Sequence, residues 1–216
     1  MRTCTLDEAS ARKVAIGLGE RQRYETQDAM DRLPFPTSST SRLKFLREVQ
    51  SSTRKVLGDR ILWDGTTKRV YTSMYLSLDG GELYVNVDQI RYAEMGRHVP
   101  SFNTALVINK HATARLLQRL GTNDFVVVCK ELRPIAPAVL TLTTRGVPEG
   151  RVARIPTLSG HLVIPHAPDG ILHEAVTFCT DTGSGDEKLQ AIQNARRLGG
   201  YITSADRAIK YQEGLQ

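Results

Sequence analysis

The stretch Val70-Tyr71-Thr72-Ser73-Met74-Tyr75-Leu76-Ser77-Leu78-Asp79-Gly80-Gly81-Glu82-Leu83-Tyr84-Val85-Asn86-Val87 sets the architecture. Val70, Thr72, Met74, Leu76 and Leu78 alternate with Tyr71, Ser73, Tyr75 and Ser77, and Leu83, Val85 and Val87 resume the alternation after Asp79-Gly80-Gly81. Successive side chains of a strand point to opposite faces, and Asp-Gly-Gly tolerates positive φ, so the segment predicts a β-hairpin. Its more polar face carries Tyr71, Tyr75 and Tyr84. Such rings either stack nucleic-acid bases or serve as ordinary cross-strand pairs.

Upstream of the hairpin, Leu43, Leu46, Val49, Val56 and Leu57 recur at helical spacing from Arg42 to Leu57, with Gly58 as the stop signal. The opposite face holds Arg42, Lys44, Arg47, Arg54 and Lys55, either a solvated face or a phosphate-binding stripe. Residues 1–36 read as a polar appendage, ordered only by docking, with helical tendency over Asp7–Leu18 and more weakly over Arg21–Leu33. Leu33-Pro34-Phe35-Pro36 then breaks the chain, because each proline drives its predecessor out of the helical region.

Downstream, residues 109–121 and 122–132 predict two short helices parted by Gly121. Four strands are expected next, over Val139–Thr144, Arg151–Ile155, Gly160–Ile164 and Leu172–Cys179. Short turns between them favour a four-stranded antiparallel meander. Ser184-Gly185-Asp186-Glu187 has the capping-box pattern of a helix running to Leu198, and a last helix is expected over Ser204–Glu213. The order is helices, hairpin, helices, meander, helices, which makes residues 37–216 one α+β domain.

The 216 residues are 40% hydrophobic and 24% charged, enough apolar material for a core. No stretch reaches the length of a membrane-spanning helix, and the start Met1-Arg2-Thr3-Cys4-Thr5 does not resemble a signal peptide. Three dispersed cysteines (Cys4, Cys129, Cys179) without Cys-x-x-Cys spacing suit a reducing, cytoplasmic compartment better than a disulfide framework. The net charge of +6 is uneven: residues 110–155 hold eight basic against three acidic residues. A local excess of that kind favours a polyanion such as nucleic acid, although charge also serves solubility alone.

The chemistry concentrates in Lys110-His111-Ala112-Thr113-Ala114-Arg115-Leu116-Leu117-Gln118-Arg119-Leu120. On a helix of about 100° per residue, Arg115 and Gln118 flank His111 within about 40°, with Arg119 about 80° away. Leu116, Leu117 and Leu120 gather on the far side. Guanidinium groups fork onto phosphate oxygens, and histidine exchanges protons near neutrality, so the stripe suits a phosphodiester.

His111-Ala112-x-x-Arg115-x-x-x-Arg119, followed by predicted antiparallel strands, resembles the His-Ala-x-x-Arg-x-x-x-Arg helix of small bacterial toxin-like proteins of the barnase/colicin/RelE ribonuclease group. The likeness covers residues 109–180. It implies metal-independent RNA cleavage, with His111 as general acid/base and Arg115 and Arg119 on the phosphate. His173 or Glu174 would be the second proton-transfer group, and Thr177 a neutral donor. Pairing Ile164 with His173 across the Ala167–Gly170 turn would set His166 and His173 on one face and His161 and Glu174 on the other. That split leaves no metal site among the histidines. Lys110, Gln118, Arg145, Arg151 and Arg154 would extend the substrate track.

Phosphate-loop, dinucleotide, nucleophile-elbow and His-Glu-x-x-His motifs are missing from the sequence, so ATPases, dehydrogenases and zincin proteases are disfavoured and no cofactor is implied. Three readings stay open: an endoribonuclease, a non-catalytic RNA- or DNA-binding protein, and a viral or phage adaptor whose basic surface meets an acidic protein or a membrane.

Overall fold

A computed structural model describes residues 7–18, 41–92, 98–167 and 172–180. The helices expected over Arg21–Leu33, Ser184–Leu198 and Ser204–Glu213 lie outside the described residues. The protein is α+β, with five helices and two sheets among those residues.

The hairpin forms as its alternation requires. Strand β2 (Val70–Asp79) pairs antiparallel with β3 (Glu82–Tyr92), Asp79 opposite Glu82. The two linking residues, Gly80 and Gly81, have φ of 56° and 88°, left-handed values that glycine adopts without steric cost. Strands β1 (Ile61–Thr66) and β4 (His98–Ile108) flank the hairpin, neither of them legible beforehand. Met74, Leu76, Leu78, Leu83 and Val85 line one face with Leu106 and Ile108 of β4, all within the main core.

The tyrosine face is also largely covered, which leaves Tyr71 and Tyr75 no exposed ring on which a base could stack. Helix α2 (Arg42–Leu57) lays Phe45, Leu46 and Val49 over Tyr71 and Ile90. Tyr71 and Tyr75 are buried, and burial pushes the Tyr71 phenol up to about 12. Only Tyr84 keeps partial exposure, and its hydroxyl donates to Glu82 at 2.8 Å. Arg54 belongs to the basic face of α2, yet it forms a two-pronged pair with Asp64 of β1 at 2.7 and 2.9 Å. The same carboxylate accepts from Gln50 at 3.2 Å and from the Tyr71 hydroxyl at 3.4 Å, fixing α2 on the sheet.

Helices α3 (Lys110–Leu120), α4 (Phe125–Leu132) and α5 (Ala136–Arg145) follow β4. Helix α5 replaces the expected strand over Val139–Thr144. Valine, leucine and threonine alternate there in a period of two, but burial selects Ala136, Val139 and Leu142, three apart. Threonine hydroxyls donate back to carbonyls of the preceding turn, as Thr141 does to Pro137 at 3.1 Å and Thr143 to Leu140 at 2.9 Å.

The meander is therefore three-stranded: β5 (Val152–Pro156), β6 (Gly160–Pro165) and β8 (Thr177–Thr180), in that order. The single strand expected over Leu172–Cys179 is broken at Val176. Its first part, β7 (His173–Ala175), leaves to pair parallel with β4 in the large sheet, Leu106 opposite His173. The pairing of Ile164 with His173 is thus replaced by Val163 opposite Thr177. At Gly160 a Cβ would collide with the Cys179 carbonyl, so close strand approach excludes any side chain there. Glu131 of α4 is buried and binds the β5–β6 turn, accepting from Thr157 Oγ1 at 2.5 Å, Ser159 N–H at 2.7 Å and Ser159 Oγ at 2.8 Å.

Helix α1 (residues 8–18) opens with Asp7, whose side chain accepts from Ser10 N–H at 2.7 Å. That backbone bond, with the Ser10 hydroxyl, holds the Asp7 carboxyl below its usual value. Ala11 and Ala15 are buried in the main core.

Candidate functional site

Helix α3 begins where β4 ends, and Asn109 makes the join. Its side chain accepts from Ala112 N–H at 2.9 Å as the N-cap, while its amide donates to Glu174 Oε1 at 2.7 Å. Glu174 therefore stands exposed beside Asn109, the N-cap that immediately precedes Lys110 and His111. At the far end Gly121, with φ of 60°, closes the helix in the left-handed conformation.

The helix buries Ala112, Thr113, Ala114, Leu116 and Leu117 against the core and β8. What stays open, besides exposed Lys110 about 100° round the helix from His111, is the sector the spacing predicted, with Arg119 exposed and His111 and Arg115 partly so. Gln118 sits at its margin with Oε1 buried and unpartnered among the described residues. His111, Arg115 and Arg119 thus share one strip about 12 Å long, from the 1.5 Å rise per residue between His111 and Arg119.

A carboxylate from outside the segment enters this strip. Glu8 of α1 places Oε1 3.3 Å from His111 Nδ1, and Arg12 Nη2 donates to the same oxygen at 2.8 Å. Burial works to raise the Glu8 carboxyl, but the Arg12 hydrogen bond and the charges of Arg12, His111 and Arg115 outweigh it and hold the group below the usual glutamate value. Sequence spacing could reveal the Glu8–Arg12 pair, four apart on one helix, but not its seat against His111.

The remaining expected residues lie elsewhere. His173 is buried on the other side of β7, where Nε2 donates to the Leu142 carbonyl of α5 at 3.0 Å. Nδ1 of that ring has no partner among the described residues. His166 donates through Nδ1 to the Val147 carbonyl at 2.6 Å, so two imidazoles hold the α5–β5 connection. His161 is partly buried on β6, and Thr177 is half-buried opposite Val163. Arg145, Arg151 and Arg154 are exposed at the end of α5, before β5 and on β5. Since α3 packs on β8 and the sheet order is β5-β6-β8, Arg151 and Arg154 belong to the opposite edge from the α3 strip.

Cys129 is buried in the core, and burial pushes its thiol up to about 12, far from a reactive thiolate. Among the described residues no three His, Cys, Asp or Glu side chains are grouped to hold a metal ion, and no helix is long and apolar enough to cross a membrane.

Fold and strip together define an α+β protein whose helix α3 carries a cationic face partly open to solvent. Compared with protein families, curated proteins and solved structures, the chain matches none.

Proposed function

We propose that the protein binds nucleic acid, RNA in preference, through the open sector of α3. The observation that carries this reading is the segregation within one helix: five residues serve the core, while His111, Arg115 and Arg119 share the outward strip. Guanidinium groups bind phosphate oxygens in pairs, and a linear strip of cations follows a backbone of regularly spaced phosphates. Binding of a labelled single-stranded RNA, followed by anisotropy across a salt series, tests it. Affinity falls linearly in log–log form, and Arg115→Ala and Arg119→Ala each reduce the slope by about 1 without unfolding the protein. Salt-independent binding, or variants that bind like the parent, would defeat the reading.

A second reading, metal-independent endoribonuclease, is favoured by one contact. A carboxylate at His111 Nδ1 fixes the tautomer that leaves Nε2 as the proton acceptor. Glu174, beside the start of α3, is then the candidate for the second proton transfer. Incubating labelled RNA with parent and His111→Ala in EDTA decides: loss of cleavage in the variant supports catalysis, and intact RNA with both removes it.

A further inference from the structure

Helix α1 is seated at two places. Its N-terminal turn delivers Glu8 to His111, and its C-terminal half lies on the hairpin turn. A Cβ at Gly81 would stand 3.2 Å from Ile16 Cγ1 and 3.9 Å from Ala15 Cβ, so the turn is bare where α1 rests. The positive φ explains glycine at Gly80, which has open space around it; at Gly81 the neighbouring helix adds a second reason.

The seat is shallow. The fully buried side chains of α1 are alanines, Ala11 and Ala15, with Val14 and Leu18 only partly covered and Ile16 44% exposed. Alanine contributes far less to burial than leucine or phenylalanine, and a helix of this length is marginal without tertiary support. Charge adds a modest further hold, through the half-exposed contact of the Glu8 carboxylate with His111 of α3.

Carboxylate and phosphate oxygens ask for the same donors in the same geometry. We propose that α1 is an intramolecular competitor for the polyanion site: the Glu8 carboxylate occupies the place at His111 that a phosphate takes, and α1 leaves its seat when nucleic acid binds. This rests on the nucleic-acid reading above and adds its regulation. The apolar loss on release is small, and a phosphate on His111 and Arg115 offsets the broken Glu8 contact.

The test compares full-length parent protein, Glu8→Gln and the charge-matched Glu48→Gln on α2. Each is titrated with a short single-stranded RNA, and hydrogen exchange of the parent is followed with and without that RNA. The neutral amide at position 8 tightens binding about three- to tenfold at low salt and steepens the salt slope by about 1. Glu48→Gln, with the same change in net charge, moves affinity much less. In the parent, RNA removes exchange protection from residues 8–18. Parent binding with no gain in Glu8→Gln overturns the competitor and leaves the nucleic-acid reading standing. A parent α1 that stays protected at saturating RNA overturns it equally, even if Glu8→Gln fails to fold. Absence of binding by all three proteins removes the reading itself, and the competitor with it.

Discussion

Asp88 is an acid on the covered face of the hairpin, opposite Ser73 and only 2% exposed. Neither of its oxygens finds a hydrogen-bond partner among the described residues. Burial pushes its carboxyl up to about 7. Unfolded, the group loses its proton near 3.8; folded, it keeps the proton to about 7. The unfolded state therefore binds fewer protons across that window, so stability falls as pH rises from about 4 to about 7 and levels off above. Asp88→Asn, neutral throughout, flattens this slope and is more stable than the parent above neutrality by a few kcal/mol, on the order of 1.4 kcal/mol per pH unit of the window. Urea unfolding midpoints on either side of the window check it; an unchanged slope in the variant sinks the assignment. Glu131 is the contrasting buried acid, with three donors on one oxygen. Glu131→Ala strands the Thr157 hydroxyl and the Ser159 N–H, and lowers the unfolding free energy by about 2–4 kcal/mol, read from the same urea curves.

Elements were legible where local chemistry and tertiary demand agreed. The hairpin is one such case, because alternation sets the faces and Gly80-Gly81 sets the turn. Helix α3 is another: the wheel separated its leucines from His111, Arg115 and Arg119 as the fold does. Helix α5 was misread because Val139-Leu140-Thr141-Leu142 carries a strand's alternation while its core contacts repeat at three. The break at Val176 was invisible because no local signal tells a strand to change sheets; β7 goes to β4 and β8 to β6 by tertiary choice. The covered tyrosines likewise depend on α2, whose docking rests on Asp64. That carboxylate is drawn upward by burial and downward, more strongly, by Arg54, Gln50 and Tyr71, and so lies below its usual value. Its contribution is present above about 3.8 and is lost as pH falls through the lowered folded value. Asp64→Ala costs about 1–2 kcal/mol, since the Arg54 pair is largely solvent-screened but Tyr71 loses a buried acceptor. A double-mutant cycle with Arg54→Ala, measured by urea unfolding, should return a coupling of about 0.5–1 kcal/mol; zero coupling would mean the pair does not hold α2.

At the scale of the molecule, the two sheets do not own separate cores. Leu76 and Leu78 of β2, Leu116 and Leu117 of α3, Leu132 of α4 and Leu162 and Ile164 of β6 fall in one buried cluster. The chain also crosses between the sheets within a few residues, since β7 belongs to one and β8 to the other with only Val176 between them. A single cluster bridged in this way has no plane along which one sheet can melt while the other stays packed. The strip on α3 inherits its rigidity from that arrangement, because Ala112, Leu116 and Leu117 anchor the helix in the shared core. Leu76→Ala in the large sheet and Leu162→Ala in the small one should therefore each lower the same unfolding transition, by about 2–5 kcal/mol, with fluorescence and far-ultraviolet dichroism moving together. Two transitions, with each substitution shifting only one, would mean that the small sheet is an independent unit and that α3, lying against β8, is placed by it alone.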